Sequence, residues 1–178
     1  MLSLLGGITN RLTSVFRNFP SPDAFPPLIP ILVGSTSAST EKAFGKLLAP
    51  YLSDPTSIFI ASSDFCHWGT RFRYTYYEDG NGGATNLTSS SPRPTDPLIH
   101  ESIAEVDMQC VYAVESGVHD EFLSILNLTG NTVCGRHPIG VLMAAVEALE
   151  KEGQIDAAKV SAPSSRAGLH NVHSPADE

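Results

Sequence analysis

The 178-residue chain is poor in basic and aromatic residues, and it contains no long hydrophobic run. Eleven Lys and Arg face nineteen Asp and Glu, and the formal net charge is −8. This is the wrong sign for a surface that gains affinity by displacing counterions from phosphate. No stretch approaches the ~18 consecutive apolar residues of a membrane span. We therefore expect neither a nucleic-acid partner nor a membrane span.

Cysteine is scarce as well. The chain has only Cys66, Cys110 and Cys134, an odd number at spacings unlike a disulfide framework or a paired CxxC zinc motif. A reducing compartment is the simpler interpretation, so we predict a cytoplasmic location, with the nucleus as a second one.

The chain divides into three segments. Residues 1–24 are predicted to form an amphipathic helix and a Pro-rich turn, residues 25–155 to belong to one α/β domain, and residues 156–178 to form a poorly ordered tail without periodicity. The first 22 residues lack acids, as mitochondrial transit peptides do, which leaves the mitochondrion as an alternative location. We favour a core helix, because its apolar stripe leads directly into a segment that resembles folded core.

Strand and helix signals alternate in the middle segment. Short apolar runs predict buried strands at residues 28–33 and 57–61. Apolar residues at helical spacing predict helices at residues 40–51, 96–117, 119–128 and from 138 onward. The Gly-, Asn-, Ser- and Pro-rich stretch 79–97 is predicted to be a loop. This alternation favours an α/β layered domain.

Polar residues follow the second predicted strand, where ligands bind in open α/β sheets. Asp64 and His67 lie three residues apart there, and a turn can direct both side chains into one cavity. A carboxylate and an imidazole so placed can bind a metal or act as an acid/base pair. The alternative is that Asp64 caps a turn and His67 packs against Trp68.

A second candidate site precedes the last predicted helix. Cys134 and His137 flank Gly135 and Arg136, at a position where backbone N–H groups and the helix dipole favour a thiolate. Thiolate and imidazole together suit iron, copper or zinc, and Arg136 could hold an anion. The alternative is a buried cysteine beside a histidine that caps the helix. Cys110 is predicted to be core and His119 to be solvated.

Three sequence segments together resemble the Memo family: SSDFCHWG at residues 62–69, RFRY at 71–74 and CGRHPIG at 134–140. The resemblance covers about residues 25–155 and corresponds to the later part of the family's chain. It implies the fold of class III non-haem iron extradiol dioxygenases, an α/β sandwich around a central sheet. It also implies links to iron or copper chemistry and to cell motility signalling.

The resemblance implies roles for individual residues. Cys134 stands where the family places a thiolate metal ligand, and His67 matches the acid/base position of the dioxygenases. Asp64 lies beside His67 in the family's pocket, which Ser63, Arg136 and His137 also line. Two further metal-ligand histidines of the family come from its N-terminal half, whereas no histidine precedes His67 here.

An incomplete pocket has consequences for the expected function. We expect a truncated Memo-like chain with an incomplete sandwich, weak or absent binding of iron or copper, and self-association through exposed strand edges. The alternative is a non-catalytic signalling scaffold or peptide-binding module that uses residues 71–77. An active extradiol dioxygenase is a third hypothesis, against which the missing histidines argue.

Overall fold

The computed structural model describes Arg17 and residues 20–153. The predicted tail and most of the predicted N-terminal helix lie outside the described residues, so the division into segments remains a prediction. Within the described part, no helix is both long enough and apolar enough to cross a membrane.

Four α-helices account for most of the regular structure in the described residues. They are α1 (Ala38–Leu52), α2 (Ile99–Glu115), α3 (His119–Thr129) and α4 (Arg136–Lys151). Helix α1 begins before residue 40, the start predicted from the sequence, because Ser37 is its N-cap and the Ser37 hydroxyl accepts the Thr40 N–H at 3.3 Å. The helices predicted from apolar periodicity are therefore confirmed, with shifts of a few residues at their ends.

The sheet of the described residues consists of two short strands. Strand β1 (Tyr76–Glu78) pairs antiparallel with β2 (Ala84–Asn86), so that Tyr76 lies opposite Asn86. The hairpin occupies part of the stretch that we expected to be a loop. The mixed α/β composition is confirmed, whereas the layered sandwich around a central sheet stays a prediction.

The two predicted strands are wrong. Residues 28–33 and 57–61 are not strands, and their apolar side chains are largely exposed, with Leu32 at 97%, Ile29 at 79% and Ile58 at 73%. A strand is buried only when neighbouring strands and covering helices enclose it. No strand of the described part pairs with either segment.

The core lies among α2, α3 and α4. Its fully buried side chains include Cys110, Phe122 and Met143, and Phe65 packs against the same cluster. This contact anchors the segment around residues 61–68 next to the start of α4. Two irregular segments far apart in the sequence are thereby placed side by side.

Candidate metal centre

Three side chains that could hold a metal ion come together beside the start of α4. Asp64, His67 and Cys134 each offer one ligand atom, and these atoms all lie within 4.8 Å of one another. Asp64 and Cys134 are exposed and His67 is half-buried. Cys134, from one candidate site of the sequence, therefore joins Asp64 and His67 from the other, whereas His137 is not part of this cluster.

Reciprocal hydrogen bonds join the two segments of this cluster. The Asp64 N–H donates to Cys134 Sγ at 3.2 Å, and the Cys134 N–H donates to the Asp64 carbonyl oxygen at 3.1 Å. The donor aimed at the sulfur fixes the orientation of Sγ, the atom through which cysteine binds metals. The backbone thus fixes Cys134 against Asp64, although 70 residues separate them in the sequence.

Ser63 and Gly135 pack directly behind this pair. The Ser63 hydroxyl accepts the Gly135 N–H at 2.9 Å and donates to the Asp64 carbonyl oxygen at 2.8 Å. A Cβ atom on Gly135 would lie 2.5 Å from Ser63 Cβ and 2.7 Å from the Ser62 carbonyl oxygen. Only glycine at position 135 allows the segment with Ser63 and the segment with Cys134 to approach this closely.

Arg136 and His137 begin α4 immediately after the cluster. The buried Nε of Arg136 has no hydrogen-bond partner among the described residues. The Nδ1 atom of His137 lies 2.8 Å from Glu41 Oε1 and 2.9 Å from the Thr36 hydroxyl. His137 therefore ties the start of α4 to α1 through this nitrogen.

Glu41 belongs to a buried polar group that sequence reasoning missed. Its carboxylate is 1% exposed, and its Oε2 lies 2.8 Å from Nε2 of the fully buried His119. The prediction of a solvated His119 is therefore wrong, because the start of α3 packs against α1 and α4. A Cβ atom on Gly140 would lie 2.5 Å from Glu41 Oε2, so a glycine at this position leaves space for the Glu41 carboxylate.

The ionised form of Glu41 is stabilised in this group. Burial opposes ionisation, but hydrogen bonds from His137, His119 and Thr36 outweigh it and lower the pKa of the carboxyl below its usual value. One sequence signal could have found this residue: Glu41 shares the buried face of α1 with Gly45 and Ala49, at i, i+4 and i+8.

The other two cysteines differ from Cys134 in their surroundings. Cys110 is fully buried, as predicted, and burial raises the pKa of its thiol to about 11. Burial raises the pKa of the Cys66 thiol to about 12. Among the three cysteines, Cys134 has the exposed side chain.

The aromatic and basic segment 71–77 is only partly available to a partner. Tyr74 and Tyr77 are buried, and their hydroxyls donate to the carbonyl oxygens of Thr129 and Pro97. Residues 71–73 are exposed, and the Phe72 ring centroid lies 5.3 Å from that of His67. The exposed part of the segment thus borders the cluster of Asp64, His67 and Cys134.

Comparison with known proteins relates the chain to one family. A family model described as Memo-like protein matches residues 24–168. Protein MEMO1 of Homo sapiens is 43% identical over 126 residues, which cover 71% of this chain and 37% of that protein. Protein MEMO1 of Xenopus tropicalis is 44% identical, with the same coverage of both chains.

A more distant relative gives the same result. A MEMO1 family protein of Schizosaccharomyces pombe is 37% identical over 123 residues, which cover 67% of this chain and 40% of that protein. The matched region spans about two fifths of each relative's length. The family-model match at residues 24–168 includes both segments that carry Asp64, His67 and Cys134. The chain belongs to the Memo-like protein family.

Proposed function

We propose that this Memo-like chain binds an iron or copper ion through Cys134, with His67 and Asp64 as the neighbouring polar groups. The observation that carries the proposal is the convergence of their three ligand atoms within 4.8 Å. A thiolate and an imidazole suit redox-active transition metals, whereas carboxylate-only sets suit magnesium or calcium.

The donor set fits one ion after a small adjustment. Metal–ligand distances of about 2.0–2.3 Å place the ligand atoms of one ion roughly 3.5 Å apart. The present spread of up to 4.8 Å must therefore shrink by about 1 Å. Side-chain rotation of the exposed Asp64 and Cys134 is enough for this, because their backbones are already joined.

The protein's own groups have distinct roles in this site. The Asp64 N–H orients the Cys134 sulfur by donating to it, and α4 begins directly after this residue. A bound ion would supply Lewis acidity and one-electron redox chemistry. The imidazole of His67 can donate or accept a proton at a molecule held there, the role that the family resemblance assigns to it.

Elemental analysis of the purified protein, after loading with iron or copper and desalting, tests the proposal. We expect Cys134→Ala to remove most of the bound metal. Cys66→Ala is the matched control, because this thiol lies in the same segment as His67 but outside the group of three ligands. Unchanged metal stoichiometry in Cys134→Ala would overturn the proposal.

By family resemblance, we place the chain in the cytoplasm and in cell motility signalling. Its three free cysteines are consistent with a reducing compartment. Extradiol dioxygenase activity is the weaker extension, and oxygen uptake with iron and a catechol measures it.

A signalling scaffold is the second candidate function. The exposed residues Arg71, Phe72 and Arg73 favour it, because guanidinium groups beside an exposed ring can contact an acidic, aromatic peptide. Partner binding that survives Cys134→Ala but is lost in Phe72→Ala would support the scaffold. Loss of binding in both variants would instead tie the partner to the metal cluster.

A further inference from the structure

A network of buried polar side chains lies behind the candidate metal centre. Asp107, on α2, is 8% exposed, and both its carboxylate oxygens accept the Cys66 N–H, at 3.1 and 3.4 Å. Its Oδ1 also accepts Nδ2 of Asn131 at 2.8 Å. One carboxylate therefore joins the segment that carries His67 to the segment that carries Cys134.

Thr132 adds a second connection between the same segments. Its hydroxyl oxygen accepts the His67 N–H at 2.7 Å and lies 3.3 Å from the His67 carbonyl oxygen. With the Asp64–Cys134 pair, the two segments are linked at three successive places. None of the atoms of Asp107, Asn131 or Thr132 belongs to the group of metal-ligand atoms.

These links set the distance between the two segments, because the segments are not paired by the regular backbone hydrogen bonds of a β-sheet. Residues 61–68 and 130–134 contain neither helix nor strand, so no regular backbone pairing sets their spacing. Side chains that bond the backbone next to a ligand commonly orient that ligand, and their loss weakens metal binding about 10- to 100-fold.

We propose that Asp107, Asn131 and Thr132 are positioning residues that hold the segments carrying Asp64, His67 and Cys134 at a fixed spacing. The effect on metal affinity rests on the function proposed above. The spacing itself exists without a metal and can be measured in the metal-free protein.

Amide hydrogen exchange of the metal-free protein is the first test. The Cys134 N–H bonds to Asp64 and not to Asp107, so a mutation of Asp107 reaches it either through a change in spacing or through a general loss of stability, which the core amide of Ala145 reports. In Asp107→Ala we expect its exchange to accelerate about tenfold relative to the core amide of Ala145, because about 1–3 kcal/mol is lost with a buried hydrogen-bond partner. Glu105→Ala, an exposed carboxylate on the same helix, is the matched control and should change nothing.

Two further variants separate positioning from general stability. The buried Oδ1 of Asn131 has no partner among the described residues. In Asp107→Asn the Asn131 amide can turn this oxygen toward the new N–H, so we expect exchange close to wild type. Thr132→Val keeps the side-chain shape but removes the oxygen that holds His67, and should accelerate exchange of the His67 amide.

Cobalt(II) titration, followed by thiolate-to-cobalt charge-transfer absorption, is the second measurement. We expect Asp107→Ala to weaken cobalt binding about tenfold, Asp107→Asn to restore most of it, and Cys134→Ala to abolish the band. A wild-type protein without the band would overturn the proposed metal function. Accelerated Cys134 exchange in Asp107→Ala would still support the positioning network.

Two results would overturn the positioning network itself. The first is unchanged exchange of the Cys134 amide in Asp107→Ala. The second is uniform acceleration that includes Ala145 and is shared by Asp107→Asn, because it would show a purely structural contribution to stability.

Discussion

A single residue, Gly135, determines how closely the two ligand-bearing segments approach each other. A Cβ atom there would meet Ser63 and the Ser62 carbonyl oxygen at 2.5–2.7 Å. We expect Gly135→Ala to push the two ligand segments apart and to weaken cobalt binding about tenfold. Gly34→Ala, where a Cβ would meet nothing within 4 Å, is the control. Equal affinities of both variants and wild type would contradict the expectation.

The lowered pKa of Glu41 implies that the free energy of unfolding depends on pH in the acid range. Its pKa is lower in the folded protein than the usual value of 4.5, so the unfolded chain takes up the proton first as pH falls. The stabilisation by ionised Glu41 is therefore complete above pH 4.5 and is lost as pH falls through the lower folded pKa.

We expect Glu41→Gln to flatten this acid dependence, because the amide does not titrate. Denaturant unfolding at several pH values from neutrality to below 4.5 measures the effect. Glu105→Gln, at an exposed position of α2, should keep the wild-type slope. A wild-type slope in Glu41→Gln would show that another carboxyl is responsible.

Residue type and local spacing identify Asp64 with His67, and Cys134 with His137, as two separate candidate sites, and the family resemblance assigns Asp64, His67 and Cys134 to one pocket. The sequence does not reveal Asp107, and for Glu41 it offers only the spacing to Gly45 and Ala49, because the partners of a buried carboxylate lie far away in the chain. The burial of His119 is not predictable from the sequence for the same reason. It depends on the space that Gly140 leaves for the His119 ring and the Glu41 carboxylate, and this space exists only when the helices are packed together.

At the scale of elements, the crossing of α1 and α4 depends on Gly45. A Cβ atom there would lie 2.6–2.7 Å from the backbone of Ala144 and Ala145. We expect Gly45→Ala to lower the free energy of unfolding by about 1–3 kcal/mol, because the helices must separate. Thermal unfolding measures this, and Ala43→Leu, at an exposed position of α1, should have little effect.

The helices were predictable and the strands were not, for a physical reason. An apolar stripe at helical spacing needs only a surface to pack against, because a helix makes its backbone hydrogen bonds within itself, as α2 to α4 show. A short apolar run becomes a strand only when neighbouring strands accept its hydrogen bonds. Residues 28–33 and 57–61 find no such neighbours among the described residues, whereas the Gly-rich turn at residues 80–83 brings β1 and β2 together.

At the scale of the whole molecule, these two segments leave apolar surface exposed. Ile29, Leu32 and Ile58 are more than 70% exposed, and Leu47 and Tyr51 of α1 more than 60%. We expect the isolated chain to self-associate, because such surface favours association and unpaired extended backbone favours strand pairing.

Sedimentation equilibrium over a range of concentrations tests this expectation. The average mass should rise with concentration in the wild type and less so in the double variant Ile29→Lys, Leu32→Lys. Arg93→Lys, at an exposed position of the loop, is a control that preserves charge. A monomeric mass at all concentrations would contradict it.

Because the three thiols differ in exposure and pKa, the number that react with a thiol reagent distinguishes folded from unfolded molecules. Cys134 is exposed, whereas the Cys66 and Cys110 thiols are held protonated by pKa values of about 12 and 11. A small alkylating reagent near neutral pH should therefore add one label to each native molecule and three to each unfolded one, as intact mass spectrometry would show. In a metal-free preparation, the ratio of singly to triply labelled chains then reports the folded fraction.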